Sequence, residues 1–261
     1  MPPNRLKRKL RKGQPASGVW LTFMDPNLIE FYGYLGFDYV IIDAEHQAID
    51  KANCLEFVRA CDVAGLTSIV RPDSKAASTI LGFLDLGADG IYAPHVRSAN
   101  DAREVVRACK YAPEGSRSMN YPRPMRYGLT DSPREMYEQA NEETMVIVLV
   151  EEPEGIQNLD EIIAVDGVDV IGIGDGDLSH AMGFVGDKSN PELRRIVEEA
   201  EHRIFAAGKA FDAVASNADG ALHAMRQGAT MISVSDRLLL ERAGKEFAKA
   251  VAEYSTAVSR S

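Results

Sequence analysis

The chain carries short apolar runs that each close on a charged residue. Val40-Ile41-Ile42 ends in Asp43, with Glu45 and His46 just beyond, and Ser68-Ile69-Val70 ends in Arg71. Val146 to Val150 ends in Glu151, and Val170-Ile171-Gly172-Ile173 runs into Gly174-Asp175-Gly176-Asp177. Short continuous apolar runs read as strands buried on both faces, the pattern of a parallel sheet. A carboxylate or guanidinium at the end of such a strand costs free energy unless something pairs with it. Several such ends on one side of a parallel sheet make an active site, and parallel barrels place theirs at the carboxyl ends of the strands.

Eight runs of this kind are predicted as strands, over residues 19–22, 38–43, 67–71, 90–93, 145–151, 169–173, 209–213 and 230–234. Helical patterns lie between most of them, at 27–35, 51–64, 76–86, 99–111, 193–207 and 218–227. Each helix stops at a Gly or Pro, and a strand starts within a few residues. Repeated β-α alternation of this length predicts a (β/α)8 TIM barrel, with a doubly wound sheet as the alternative. The first strand is followed by Phe23-Met24-Asp25-Pro26 and no Gly-rich turn, which argues against a dinucleotide fold. Residues 112–143 form a longer excursion rich in Pro, Arg and Tyr. It reads either as a functional loop over the carboxyl face or as a subunit contact. The tail from Arg237 reads as one or two helices with a polar end, and nothing marks a domain boundary within residues 1–261.

Composition narrows the classes. The 261 residues are 45% hydrophobic, enough for a sizeable core, and no apolar stretch is long enough to span a bilayer. Lys+Arg is 29 against Asp+Glu 39, a net charge of −10, which argues against nucleic acid as a partner. The odd number of cysteines, Cys54, Cys61 and Cys109, forms no CxxC. They read as core residues of a protein in a reduced, cytoplasmic compartment. A basic cluster near the start (Arg5, Lys7, Arg8, Lys9, Arg11 and Lys12) lacks a following apolar stretch, so it is no secretory signal. It is expected as a solvated amphipathic helix leading into the first strand.

The chemistry then rests on few residues. Glu151 and Asp177 end adjacent strands, and two converging carboxylates repel unless a cation or shared proton lies between them. Oxygen ligands of this kind suit Mg²⁺ or Mn²⁺ rather than zinc. Asp177 reads equally as the N-cap of a short helix. His46, among acidic neighbours, suits a general base. Asp85 closes a helix where a negative charge opposes the dipole. It reads as a partner for a cationic or proton-accepting group, or as a solvated surface residue. Arg71 suits a substrate carboxylate or an enolate oxygen, a role compatible with an ion pair to Asp43 or Glu45. Gly172, Gly174 and Gly176 admit close backbone approach to an anion. Lys209 sits at the wrong end of its strand for a Schiff base, and no G-x-S-x-G motif is present.

These residues sit in segments that resemble the HpcH/HpaI family of metal-dependent pyruvate aldolases, within the citrate lyase-like barrels. The matching segments are Gly36-Phe37-Asp38-Tyr39-Val40-Ile41-Ile42-Asp43-Ala44-Glu45-His46, Val70-Arg71-Pro72, and Leu84-Asp85-Leu86-Gly87-Ala88-Asp89-Gly90-Ile91. They continue with Pro113-Glu114-Gly115-Ser116-Arg117, Glu151 with Asn158-Leu159-Asp160-Glu161-Ile162, and Gly167-Val168-Asp169 with Gly174-Asp175-Gly176-Asp177-Leu178-Ser179. The resemblance implies a divalent metal, Mg²⁺ or Mn²⁺ with Co²⁺ also admissible, held by Glu151 and Asp177. It implies that Arg71 contacts the keto oxygen of pyruvate, that His46 and Asp85 form a base dyad supported by Asp43, and that Gly174, Asp175 and Gly176 line the substrate. It further implies a homohexamer built as a dimer of trimers, with C-terminal helices exchanged between subunits. The expected reaction is reversible cleavage of a 4-hydroxy-2-oxo acid into pyruvate and an aldehyde through a pyruvate enolate. Oxaloacetate decarboxylation at the same site and a non-catalytic metabolite-binding role are the alternatives. Two departures stand out: Leu149 where the family commonly has Gln, and Asp175 where Pro is common.

Overall fold

A computed structural model describes residues 3–129 and 132–258. Its strands are β1 (Ala16–Trp20), β2 (Tyr39–Asp43), β3 (Thr67–Arg71), β4 (Gly90–Ala93), β5 (Met145–Val150), β6 (Val170–Ile173), β7 (Ala210–Val214) and β8 (Met231–Ser235). All pair in parallel and in sequence order, and β8 returns to β1 to close the barrel. The helices are α1 (Arg5–Arg11), α2 (Pro26–Tyr34), α3 (Lys51–Ala64), α4 (Ala77–Leu86), α5 (Ala99–Cys109), α6 (Pro133–Glu143), α7 (Pro153–Gln157) and α8 (Leu159–Ile163). They continue with α9 (Asp175–Ala181), α10 (Pro191–Ala206), α11 (Ala218–Gln227) and α12 (Asp236–Val258). The TIM barrel read from the alternation of elements is therefore present. None of the described helices is long and apolar enough to cross a membrane.

Two apolar layers follow from the period-two geometry of the strands. One set of positions packs outward against the helices, with Val40, Ile42, Val70, Val146, Val148 and Ile171 among them. The other fills the lumen with Tyr39, Ile41, Ile69, Tyr92, Met145, Ile147 and Leu149. The lumen holds large rings only because neighbouring positions are bare. A Cβ on Gly18 would meet the Tyr39 ring at 2.2 Å, and one on Gly172 would meet the Tyr92 hydroxyl at 2.0 Å. The three cysteines are free and buried, as core residues.

Three expectations are corrected. β1 starts at Ala16 and ends at Trp20 rather than spanning 19–22. Its first half is Ala-Ser-Gly, with Ala16 and Gly18 small against a crowded lumen and Ser17 exposed, which an apolar-run criterion passes over. The basic N-terminal segment is the expected amphipathic helix before β1, with Arg5, Arg8 and Arg11 exposed, but it is docked on the barrel and Lys7 is buried. Leu6 is fully buried in the floor of the lumen. Around it, Lys7 pairs with Asp169 at 2.9 Å, Lys9 with Asp38 at 2.8 Å and Arg8 with Glu143 at 3.0 Å. Those acids precede β6, β2 and β5, so α1 caps the amino end of the barrel by charge matching. The excursion between α5 and β5 also lies at that amino end, not over the carboxyl face, because α5 has already crossed the barrel when it begins. There Arg117 meets Asp85 at 3.0 Å and Arg123 contacts Asp62.

Overpacking a filled lumen typically costs about 1–3 kcal/mol. Gly18→Ala is expected to lower stability by at least that much in urea denaturation. Tyr39→Leu in the same chain is expected to recover part of the loss, because it removes the ring that the new methyl strikes.

Candidate active site

The carboxyl ends of β2 and β3 place Asp43 beside Arg71 in register. Their side chains form a two-pronged pair: Arg71 Nε donates to Asp43 Oδ1 at 2.9 Å and Nη2 donates to Oδ2 at 2.6 Å. Asp43 Oδ1 also accepts the backbone N–H groups of Glu45 (3.1 Å) and His46 (3.3 Å), which fixes the turn after β2. That turn swings Glu45 back over the site. Its Oε2 lies 3.2 Å from Arg71 Nη1, an ion-pair contact that is not aligned as a hydrogen bond. Burial works against the charge on Arg71. The bonds to Asp43, together with the charges of Asp43, Glu45 and Glu151, outweigh it and hold the guanidinium cationic. Below, the Arg71 Cζ sits 4.7 Å from the centroid of the Trp20 ring, a cation–π arrangement.

Glu151, just past β5, is 1% exposed. Its Oε1 accepts the backbone N–H of His95 at 2.8 Å. The other oxygen lies against Gly174, where a Cβ would approach Oε2 to 2.9 Å. Burial, with the negative charges of Glu45 and Asp177 adding to it, pushes the Glu151 carboxyl up to about 7, against the opposing effect of His95. A buried carboxylate facing other carboxylates across a glycine-lined space is electrostatically short of a positive charge. The site therefore fits a hard divalent cation with oxygen ligands. Among the described residues, no group of three or more His, Cys, Asp or Glu side chains stands in metal-binding geometry.

Asp177 lies in the first turn of α9, and its side chain is exposed. Gly174, not Asp177, is the N-cap of that helix, and it brings no side-chain cap. Asp175 turns to the rim and pairs with Lys188 at 2.7 Å. Leu149 joins the lumen cluster beneath Glu151. Lys209 binds the carbonyls of Val165 and Val168 at the amino end, far from any role as an amine catalyst.

His46 stands at the mouth with its ring 59% exposed, 3.7 Å from Glu45. Asp85 is at the other end of the barrel, in the last turn of α4, bound to Arg117. Within one chain the two do not meet. α4 runs from the carboxyl end of β3 to the amino end of β4, and the whole barrel height separates them.

His95 and Glu152 were not singled out from the sequence, and Glu45 only as a partner for Arg71, yet the three converge here. His95 takes a left-handed backbone conformation (φ 55), which costs a residue with a Cβ about 1–2 kcal/mol. The surroundings hold it there. Its N–H goes to Glu151, its carbonyl accepts from Lys75 Nζ at 2.7 Å, and its ring lies between Glu45, Glu151 and Glu152, each 3.1 Å away. Glu152 in turn is gripped by Arg97 at 2.8 Å. A polar residue two positions past strand β4 was the available signal, close to the one that marked Asp43 and Glu151.

The family model for HpcH/HpaI aldolase/citrate lyase matches residues 16–238. The chain belongs to this family. A hydroxypyruvate/pyruvate aldolase from Pseudomonas aeruginosa is 36% identical over 249 residues, covering 95% of this chain and 92% of that protein. A 2-keto-3-deoxy-L-rhamnonate aldolase from Escherichia coli is 33% identical over 88% of this chain and 86% of its own. A crystal structure of a family member from Burkholderia cenocepacia superposes with a TM-score of 0.89 at 28% identity, over 95% of this chain and 99% of that one. The family chemistry is that of divalent-metal-dependent pyruvate aldolases, and this member is a carbon–carbon lyase.

Replacing the charge that burial opposes tests the electrostatics directly. In metal-free protein above pH 7, Glu151→Gln is expected to melt higher than the parent, by roughly 2–4 °C for each kcal/mol of repulsion relieved. Added Mn²⁺ is expected to raise the melting temperature of the parent by mass action and to leave the variant unmoved.

Proposed function

We propose that this chain cleaves a 4-hydroxy-2-oxo acid into pyruvate and an aldehyde, and catalyses the reverse aldol addition. The observation that carries this reading is the Asp43–Arg71 pair at the barrel mouth, with its guanidinium in the field of buried Glu151. Asp43 takes two of the five guanidinium N–H groups, on Nε and Nη2, which leaves one on Nη2 and the two on Nη1, beside Glu45, for a substrate oxygen.

Glu151 and Asp177 would hold a divalent ion, Mg²⁺ or Mn²⁺, which when bound supplies positive charge to the developing enolate. The rest of the work falls to side chains of the protein. Arg71 orients the C2 keto oxygen. His46 takes the proton of the C4 hydroxyl, the C3–C4 bond breaks, and its electrons pass into the C2 carbonyl as the aldehyde leaves. Arg71 then holds the enolate oxygen, the kind of interaction that usually contributes most to such a reaction. Return of a proton to C3 gives pyruvate. The first turn of α9 offers the backbone N–H groups of Asp175 and Gly176 to the substrate carboxylate, with Gly174, whose own N–H is bound to the Val150 carbonyl, leaving room for it.

Asp85 cannot support His46 in its own chain. The base dyad would need Asp85 of a second copy, which would also bring the Arg- and Tyr-rich excursion to the mouth where the aldehyde binds. An oligomer is thus part of the proposal. A long α12 with exposed Phe247 and Tyr254 supports it, as helix exchange in a hexamer would bury such residues.

Pyruvate release is the deciding assay, with a panel of 4-hydroxy-2-oxo acids and oxaloacetate, with Mg²⁺ or Mn²⁺ and with a chelator. Cleavage should require metal and fall about 100-fold or more in Arg71→Ala and His46→Ala. Decarboxylation of oxaloacetate that survives His46→Ala while no hydroxy acid is cleaved would replace the aldolase reading. A separate mixing experiment tests the dyad. His46→Ala and Asp85→Ala proteins, each inactive, should regain part of the activity when refolded together, because some shared sites receive both native residues. No recovery would leave His46 without Asp85.

A further inference from the structure

The lumen below Arg71 contains a carboxyl group that the reaction does not use. Asp212, in the middle of β7, is 2% exposed, with Tyr39, Tyr92 and Ser233 around it all equally shut off from solvent. Three hydroxyls point at it. Tyr92 donates to Oδ2 at 3.0 Å, and Ser233 and Tyr39 donate to Oδ1 at 3.3 and 3.4 Å. Burial pushes its carboxyl up to about 7, and the three hydroxyls work against that shift. An apolar side chain would fill this position at lower cost in stability. What the carboxyl group gains is a set of directed bonds.

Those bonds lead to the site. The Ser233 hydroxyl donates to Asp212 and accepts the indole N–H of Trp20 at 3.0 Å. The ring of Tyr92, fixed by its own bond to Asp212, packs edge-on against the same indole with centroids 5.3 Å apart. The Trp20 ring is thereby tied to one carboxyl group by two routes, through its N–H and through its neighbour's ring. The far face of that tie is the Arg71 guanidinium, 4.7 Å from the indole centroid.

We propose that Asp212 is a positioning residue for Arg71, acting through Ser233, Tyr92 and the Trp20 ring on which the guanidinium rests. It touches no substrate. It sets the height and tilt of the indole, and the indole sets where the free Arg71 N–H groups meet the enolate oxygen. The proposal rests on the reading of Arg71 as the enolate-binding residue. Misplacing such a group by a fraction of its bond length affects the transition state more than substrate capture.

Trp20 is the chain's one tryptophan, so its emission reports the position of the ring whether or not the protein turns over. Four variants are compared: Ser233→Ala, Ser233→Thr, Tyr92→Phe and Arg71→Ala. For each, circular dichroism confirms the fold, Trp20 emission is recorded with and without pyruvate and Mn²⁺, and kcat and KM for pyruvate release are measured. Ser233→Ala and Tyr92→Phe are expected to shift Trp20 emission and to lower kcat roughly 10- to 100-fold with KM within about threefold of the parent. Ser233→Thr, which keeps the hydroxyl, is expected to restore both. An emission shift with kcat unchanged would overturn the positioning role, and so would unchanged emission in both Ser233→Ala and Tyr92→Phe. Should Ser233→Ala fail to fold, Tyr92→Phe decides by the same two readouts. Full activity in Arg71→Ala would instead overturn the reading of Arg71 itself, whatever the other variants do.

Discussion

The guanidinium of Arg71 and the carboxylate of Asp43 face each other across neighbouring strands, and removing either would leave a buried charge alone, at a cost of about 3–5 kcal/mol. Much of the site follows from satisfying that pair. Asp43 has lone pairs left over, and they bind the N–H groups of Glu45 and His46. That shapes the turn so that Glu45 folds inward and His46 outward. Arg71 has an aromatic face beneath it and a second carboxylate beside it. The same ion pair thus sets the direction of the proposed base, the free donors of the proposed enolate site and the negative field felt by Glu151.

Negative charge exceeds positive charge at the mouth. Asp43, Glu45, Glu151, Glu152 and Asp177 stand against Arg71 and Arg97, and His95 lies among three of the carboxylates. A cluster so poor in cations is unfavourable in a sheet built only for stability, and backbone strain at His95 adds to the cost. Disagreements between local rules and the final structure gather at places of this kind because function selects them. The amino end shows the opposite balance. There Lys7, Arg8 and Lys9 meet Asp169, Glu143 and Asp38 one for one, and the barrel is closed.

The barrel was legible in the sequence because parallel strands buried on both faces read as unbroken apolar runs, and at β2, β3, β5 and β6 a charge stops the run at the mouth. Asp43, Arg71 and Glu151 were legible for the same reason. Other parts depend on distances that no local pattern carries. Trp20 and Asp212 lie on strands that were read from the sequence, but their ties run through Ser233 and Tyr92 on strands far away along the chain. His95 matters because a left-handed turn brings its backbone to Glu151, and residue type alone does not announce that conformation. Asp85 shares its sequence segment with β4, yet the helix before it ends at the opposite face. The basic N-terminal cluster looked solvated because its partners lie 29 to 162 residues away.

That last separation bears on the order in which the molecule is assembled. α1 leaves the ribosome ahead of every acid it pairs with, and its lysine partner sites are not complete until Asp169 has been made. Leu6 has no lumen to enter until the strands have curled around it. The helix must therefore wait, exposed and cationic, until the start of the sixth strand has been made, and its docking joins residues 162 positions apart. Contacts of such long range are entropically slow to form. Closure of the amino end is in this sense a late event of folding, although α1 precedes every strand that it closes.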